Sequence, residues 1–314
     1  MRIPEYNDIE QAHQRIEKFI NRTPVMTSES LDRIFGCKLF FKCENFQKVG
    51  AFKFRGAMNA VLMLSDEEAV NGVATHSSGN HAAALALAAR KRGIPSFVVM
   101  PENAPMIKKI AVDGYGARIT YCHPTLEARE ETLREIVDRT RAIEIHPYNN
   151  TNVIAGQGTA AKELIEEGPE FDLILCPVGG GGLLAETSIA VRALSVSTKV
   201  IACEPAGADD AYRSFYSGTI VPSINPKTIA DGLLTSLGSL TFPIIQKNVD
   251  EVVTVSEEAI IKAMRMIWER MKIIVEPSSA VTLAAIIEEK FDVKDKRVGI
   301  ILSGGNVDLE NLPF

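Results

Sequence analysis

Lys53 lies in the stretch Gly50-Ala51-Phe52-Lys53-Phe54-Arg55-Gly56-Ala57. Most lysines are solvated surface charges. This one has apolar or small neighbours and a second cation, Arg55, close by. A lysine in such a site sheds its charge more readily and becomes a nucleophilic amine, the group needed to condense with an aldehyde. A second stretch, Val178-Gly179-Gly180-Gly181-Gly182-Leu183, stands between an apolar run over 171–178 and a helix-like run over 183–194. Four glycines at a strand-to-helix turn leave bare backbone N–H groups at the positive end of a helix dipole, a geometry that binds phosphate. One or two glycines would serve a tight turn that needs positive φ, whereas four in a row point to the close approach of another group.

The phosphate reading splits three ways. A P-loop would need Gly-Lys-Ser/Thr at its end, which is absent. A dinucleotide fingerprint can be laid on Gly180, Gly182 and Ala185, with Glu204 following the apolar run 199–203 where a ribose partner is expected; that would make an NAD(P)-dependent oxidoreductase. A small phosphorylated cofactor such as pyridoxal 5'-phosphate (PLP) would need a lysine elsewhere to hold its aldehyde.

Thr75-His76-Ser77-Ser78-Gly79-Asn80-His81 sits between a strand pattern and a helix pattern. Ser77, Ser78 and Asn80 are good helix caps; equally, the free N–H groups and hydroxyls could face a substrate carboxylate. Nothing pairs His81 with a nucleophile. Glu204-Pro205-Ala206-Gly207-Ala208-Asp209-Asp210 gathers hard oxygen donors that suit Mg²⁺, Mn²⁺ or Ca²⁺, or else an acidic helix start. Ser303, in Ser303-Gly304-Gly305-Asn306, could meet a ring nitrogen or merely turn the chain.

The elements that must position these groups alternate. Strands are predicted over 38–43, 72–76, 96–100, 118–122, 171–178, 199–203, 251–255 and 298–302. Helices are predicted from Asn7 as N-cap through Ile20, and over 50–62, 80–89, 106–112, 126–139, 159–167, 183–194 and 257–271. Alternation of this kind implies α/β architecture with parallel sheets covered on both faces and ligands beyond the strand carboxyl ends. The 72–149 stretch reads as a small second domain against a large one built from 1–71 and 150–314.

The 314 residues carry a net charge of −6, which argues against a nucleic-acid surface. No apolar run is long enough to span a bilayer, and Met1-Arg2-Ile3-Pro4-Glu5 does not begin like a signal peptide. Five scattered cysteines with no C-x-x-C pair fit a reducing, cytoplasmic setting.

Taken together, Gly50–Gly56 around Lys53, the serines and asparagine of 77–81, the 154–159 run, the four glycines, Thr228-Ile229-Ala230-Asp231-Gly232, Glu276-Pro277 and the 303–308 run resemble the fold-type II PLP enzymes. The resemblance is strongest to the serine racemase and serine/threonine dehydratase branch and covers nearly the whole chain. It implies a tryptophan synthase β-like fold, two parallel-sheet α/β domains with the cofactor between them, and a homodimer acting on a small amino acid. Lys53 would hold PLP and move the Cα proton on one face, and Ser78 would serve the opposite face. Phe52 would pack beside the ring, Asn80 would bond its hydroxyl, and Gly179, Gly180, Gly181, Gly182 and Leu183 would cradle the phosphate. Glu276 would lie beside the cofactor and Ser303 at the pyridine nitrogen. Ser77, Ser78, Gly79, Asn80, His81 and Tyr148 would surround the substrate. Glu204, Asp210 and the Ala208 carbonyl match the family's divalent-metal site. Two departures stand out. Ala82-Ala83 replaces a Gly-Gln pair of the nucleotide-responsive surface, which puts ATP activation in question. Tyr148 is the residue type of dehydratase-like members.

Overall fold

Leu173-Ile174-Leu175-Cys176-Pro177 alternates between two covered faces, and that alternation organises the larger sheet. In the computed structural model, which describes residues 2–77, 79–104 and 106–314, Leu173 and Leu175 pack with Val281, Leu283 and Met264, whereas Ile174 and Cys176 pack with Leu184, Ala190 and Val191 on the other side. Each such leucine or isoleucine taken out of water contributes about 1.5–3 kcal/mol.

The strands in chain order are β1 (Val25–Thr27), β2 (Lys38–Cys43), β3 (Val73–His76), β4 (Ser96–Pro101), β5 (Arg118–Cys122), β6 (Ile143–Glu144), β7 (Leu173–Pro177), β8 (Lys199–Pro205), β9 (Glu251–Val255) and β10 (Arg297–Leu302). They form two sheets, ordered β1-β2-β10-β7-β8-β9 and β5-β4-β3-β6. All pairings are parallel except β1 with β2, so the large sheet carries one antiparallel edge strand that the sequence pattern does not announce. Three residues are too few to show a period of two.

The first helix runs Tyr6–Ile16 and is capped by Glu5, whose N–H bonds the Asp8 carboxylate at 2.7 Å, rather than by Asn7. It buries Ile9, Ala12 and Ile16 and stops before Ile20. Helices Glu29–Phe35, Asp210–Ser217, Thr241–Asn248 and Pro277–Ile287 add to the expected set.

The alanines of helix Asn80–Arg92 let it approach the Lys53–Met63 helix closely: Ala84, Leu85 and Ala88 share one cluster with Ala57, Met58 and Val61. This seam joins the small sheet to the element that carries Lys53. In the large sheet, β2, β10 and β7 lie side by side, so their carboxyl ends bring Ser303 and the glycine loop to one edge.

Candidate active site

The start of the Lys53 helix is tied to the end of β10. Ala51 bridges Gly304, the Phe52 N–H bonds Ser303 O at 3.0 Å, and the Gly305 N–H bonds Gly50 O at 2.9 Å. Gly50 takes φ +69° there, and a Cβ on it would lie 2.7 Å from Asn306 Oδ1. Behind the helix, Arg55 is fully buried between two carboxylates. Its guanidinium bonds Glu44 at 2.7 and 2.9 Å and Glu163 at 2.8 and 2.7 Å, and Lys42 pairs with Glu163 at 2.7 Å. Two cations thus face two anions, and Arg55 is spent in that network. The expected influence of Arg55 on Lys53 is therefore corrected. Burial is what lowers the Lys53 amine to about 8, against the opposing pull of Glu276. The amine donates to Pro147 O at 3.1 Å and stands 4.9 Å from the centre of the Phe52 ring. A lysine held in that state reaches its neutral, nucleophilic form close to physiological pH.

The glycine loop follows β7, and Gly181 takes φ +85° to open helix Gly182–Leu194. A Cβ on Gly180 would meet the Tyr148 ring at 2.3 Å, one on Gly182 would meet Gln157 Oε1 at 2.6 Å, and one on Gly179 would meet Leu233 Cα at 2.9 Å. Gly180 O accepts the Thr241 hydroxyl at 2.8 Å, which fixes the loop from below. The N–H groups of Gly180, Gly181, Gly182 and Leu183 find no hydrogen-bond acceptor among the described residues. Bare N–H groups at a helix start, in a cradle that side chains would fill, fit the phosphate of PLP. Tyr148 lies over Gly180 with its ring edge-on to His146, the centroids 4.6 Å apart.

Asn80 opens its helix at the carboxyl end of β3 and reaches across to the large sheet. Its Nδ2 donates to both Glu276 oxygens at 2.9 and 3.1 Å, and its Oδ1 accepts from Asn306 Nδ2 at 2.9 Å. Lys108 pairs with Asp231 across the same cleft. Burial, with Asp231 adding to it, pushes the Glu276 carboxyl up to about 7 despite the Asn80 bonds. A cavity of about 600 Å³ opens here, bordered by Gly79, Asn80, Lys108, Asp231 and Asn306. Ser77 Oγ accepts the Gly79 N–H at 3.3 Å and holds the turn. Ser78 lies outside the described residues. His81 is 2% exposed with Nε2 3.0 Å from Ile145 O; burial, then the nearby Lys53 charge, lowers it to about 3, so it stays neutral and anchors the helix. Ser303 contacts Ser279 through their hydroxyls at 3.1 Å.

Glu204, at the end of β8, is fully buried. Its oxygens accept the N–H groups of Ala211 and Tyr212 at 2.9 and 2.8 Å, capping helix Asp210–Ser217. The dinucleotide reading fails here, because this carboxylate faces a helix end and not a ribose. Burial raises Glu204 to about 9 and Asp210 to about 6. Both Asp210 carboxylate oxygens are buried with no hydrogen-bond partner among the described residues. Two orphaned oxygens beside the buried Ala208 fit a hard cation, although no cluster of three or more His, Cys, Asp or Glu side chains forms a metal site among the described residues.

Three participants escaped the sequence reading. The Pro147 carbonyl that receives the Lys53 amine is backbone and leaves no side-chain signal. Lys108 is one charge among many until Asp231 is seen opposite. Ser279 lies in an ordinary helical run, and only the fold brings it to Ser303.

Comparisons with known proteins give the family. The family described as "Pyridoxal-phosphate dependent enzyme" matches residues 16–304. The chain is 54% identical over 309 residues to the serine racemase of Dictyostelium discoideum, covering 97% of this chain and 95% of that protein. It is 51% identical over 314 residues to the beta-hydroxyaspartate dehydratase of Paracoccus denitrificans, covering both chains completely. The crystal structure of serine racemase from Dictyostelium discoideum superposes with a TM-score of 0.94 at 53% identity, covering 98% of this chain and all of that one. The family model spans most of the chain, and the chain belongs to the pyridoxal-phosphate dependent enzymes.

Proposed function

We propose that the chain interconverts L- and D-serine and also eliminates water from serine or threonine. The carrying observation is the Lys53 amine, lowered to about 8 by burial and bonded to the carbonyl of Pro147, the residue before Tyr148, whose ring covers the glycine loop with its bare N–H groups. PLP, when bound, supplies the electron sink that acidifies the substrate Cα–H. Lys53 would hold the cofactor aldehyde and then take the Cα proton on one face. Gly179, Gly180, Gly181, Gly182 and Leu183 would hold the phosphate, Asn80 the ring hydroxyl, Phe52 the ring edge and Ser303 the ring nitrogen, with Glu276 alongside. Ser77, Gly79 and Asn80 would receive the substrate carboxylate on a turn that His81 anchors. Return of a proton from Ser78 on the other face inverts Cα. Departure of the β-hydroxyl, protonated as water, followed by hydrolysis, would yield ammonia with pyruvate from serine or 2-oxobutyrate from threonine.

A second reading, a threonine or 3-hydroxyaspartate ammonia-lyase without racemase activity, is favoured by Tyr148 over Gly180 and by the dehydratase relative. Chiral analysis of product from L-serine beside a pyruvate assay separates the two. Ser78→Ala should abolish D-serine while dehydration largely survives; Lys53→Ala should abolish both and the visible absorbance band. No D-serine from the unaltered enzyme would leave the lyase reading.

The same reading places Mg²⁺, Mn²⁺ or Ca²⁺ on Glu204, Asp210 and the Ala208 carbonyl, sets the domain boundaries at 71/72 and 149/150, and makes the enzyme a cytoplasmic homodimer. The boundaries are supported by the strand partition, with β3–β6 in one sheet and the rest in the other. No described helix is long and apolar enough to cross a membrane. ATP has no assigned role, since Ala83 rather than a glutamine lines the cleft cavity.

A further inference from the structure

The Lys53 amine rests on a carbonyl, and that carbonyl is held from behind. Pro147 O takes two donors, Lys53 Nζ at 3.1 Å and Gln157 Nε2 at 3.4 Å, which uses both of its lone pairs. The Pro147–Tyr148 peptide unit is trans and planar, so its N–H points opposite to its C=O, and whatever grips the one aims the other. The grip is His146. Its Nδ1 accepts the Tyr148 N–H at 3.3 Å and the Asn149 N–H at 2.9 Å. Backbone N–H groups can only donate, so Nδ1 carries a lone pair and the ring proton sits on Nε2. Burial, then His76 and Lys53, lowers His146 to about 4, which keeps the ring neutral near pH 7. The Asn149 side chain fixes the far end of the turn, accepting the Leu240 N–H at 2.8 Å and donating to Ser239 Oγ at 3.2 Å.

We propose that His146 is a positioning residue: through the Pro147–Tyr148 peptide it aims the Pro147 carbonyl at Lys53, and so orients the amine that moves the Cα proton and strengthens it as a base. This rests on the reading that Lys53 is the base of a PLP site. A neutral amine that gives one N–H to Pro147 O keeps its lone pair turned away from that oxygen. Once the amine has taken a proton, the same bond becomes charge-assisted and tightens. The carbonyl thus favours the proton-loaded amine, against the burial that disfavours it. Glu276 and His81 also face this amine, and His76 and the Tyr148 ring face His146. Burial holds His81 at about 3, His76 below its ordinary value and the Tyr148 phenol above its own, so Glu276, at about 7, is the neighbour that titrates closest to Lys53.

The test follows the ¹³C NMR signal of Lys53 Cε in cofactor-free protein made with ¹³C-lysine, the signal being assigned by its loss in Lys53→Ala. The amine of the unaltered protein should titrate at about 8. His146→Leu fills the space without an acceptor, and its Lys53 should bind a proton about tenfold more weakly. In the holoenzyme the same variant should lose kcat with KM little changed. His146→Asn sets an amide oxygen where Nδ1 stood, able to accept from the N–H groups two and three residues on, and should restore both readings. A Lys53 titration unmoved in His146→Leu overturns the proposal, including one accompanied by a lower melting temperature, which marks a merely structural role. So does a folded His146→Asn that restores neither reading. Should His146→Leu fail to fold, the ¹⁵N signals of His146 in the unaltered protein decide: a proton on Nε2 alone supports the proposal, and a proton on Nδ1 overturns it. Absence of a visible band when PLP is added to the unaltered protein would overturn the reading of the site and the proposal together, whereas a band with an unmoved Lys53 titration overturns the proposal alone.

Discussion

Replacing Glu276 with glutamine should make the cofactor-free protein more stable at pH 8 and leave it nearly unchanged at pH 5. Glu276 is 3% exposed, and its carboxyl is raised from 4.5 to about 7, by burial first and then by Asp231. A raised carboxyl favours the folded state while it is protonated. That contribution is fully present below pH 4.5, fades as the unfolded chain ionises first, and is gone once pH passes about 7. The gap corresponds to about 3 kcal/mol. Glutamine never ionises, so the variant escapes this loss. Against that stands hydrogen bonding. The carboxylate accepts from Asn80 Nδ2 through both oxygens and from the Asn306 N–H at 3.1 Å. An amide nitrogen cannot accept, so one donor goes unmatched, at about 1 kcal/mol. The variant should therefore gain about 2 kcal/mol at pH 8 and come out about even at pH 5, where the ionised unfolded chain has already taken about 1 kcal/mol from the unaltered protein. Urea unfolding of both proteins at the two pH values measures this, and titrations common to both cancel in the difference. Identical pH dependence of the two midpoints would refute the reasoning, since it would mean that Glu276 enters the fold already ionised without cost.

Gly180→Ala should weaken PLP binding about 10- to 100-fold through overpacking against the Tyr148 ring, read by fluorescence titration of the cofactor-free protein. Adding Tyr148→Ala should recover most of the loss; no recovery would mean that the methyl blocks the phosphate directly. Glu163→Gln should destabilise the protein by about 3–5 kcal/mol, because buried Arg55 would keep only Glu44 and buried Lys42 only the longer contact to Glu167 at 3.7 Å. Burial works against the Glu163 charge, but Arg55 and Lys42 prevail and hold it at about 2; its contribution is present above pH 4.5 and lost as pH falls toward 2, so the variant's stability should vary less across that window. Mg²⁺ in excess should raise the melting temperature of the unaltered protein and chelator should reverse this, while Asp210→Asn should respond to neither. A thermal response that survives in Asp210→Asn would move the cation elsewhere.

The strand-helix alternation was legible because buried parallel strands need continuous apolar runs and their crossover helices need a 3.6-residue period. Helix 257–271 lies where its spacing predicts. The edge strand β1 and the two-residue β6 were not legible, since they are too short to carry a period and exist because longer strands beside them offer hydrogen bonds. Residue types alone marked Lys53, the four glycines, Asn80 and Ser303 as chemistry. They did not show what lowers the charge on Lys53. Sequence adjacency pointed to Arg55, but a helix turns successive side chains in different directions, and Arg55 faces Glu44 and Glu163. Glu204 shows the same limit, since a carboxylate at a strand end suits a ribose, a metal or a helix cap, and only the position of the next helix places Ala211 and Tyr212 against it. The sequence by itself determined the class of fold and the residues able to serve a phosphorylated cofactor, because those depend on residue type and periodicity along the chain, while the kind of cofactor was implied by the family resemblance. Tertiary structure alone decided the protonation of Lys53 and Glu276, the Tyr148 cover on the loop and the Ser279–Ser303 pair, because burial and hydrogen-bond direction depend on residues far apart in sequence.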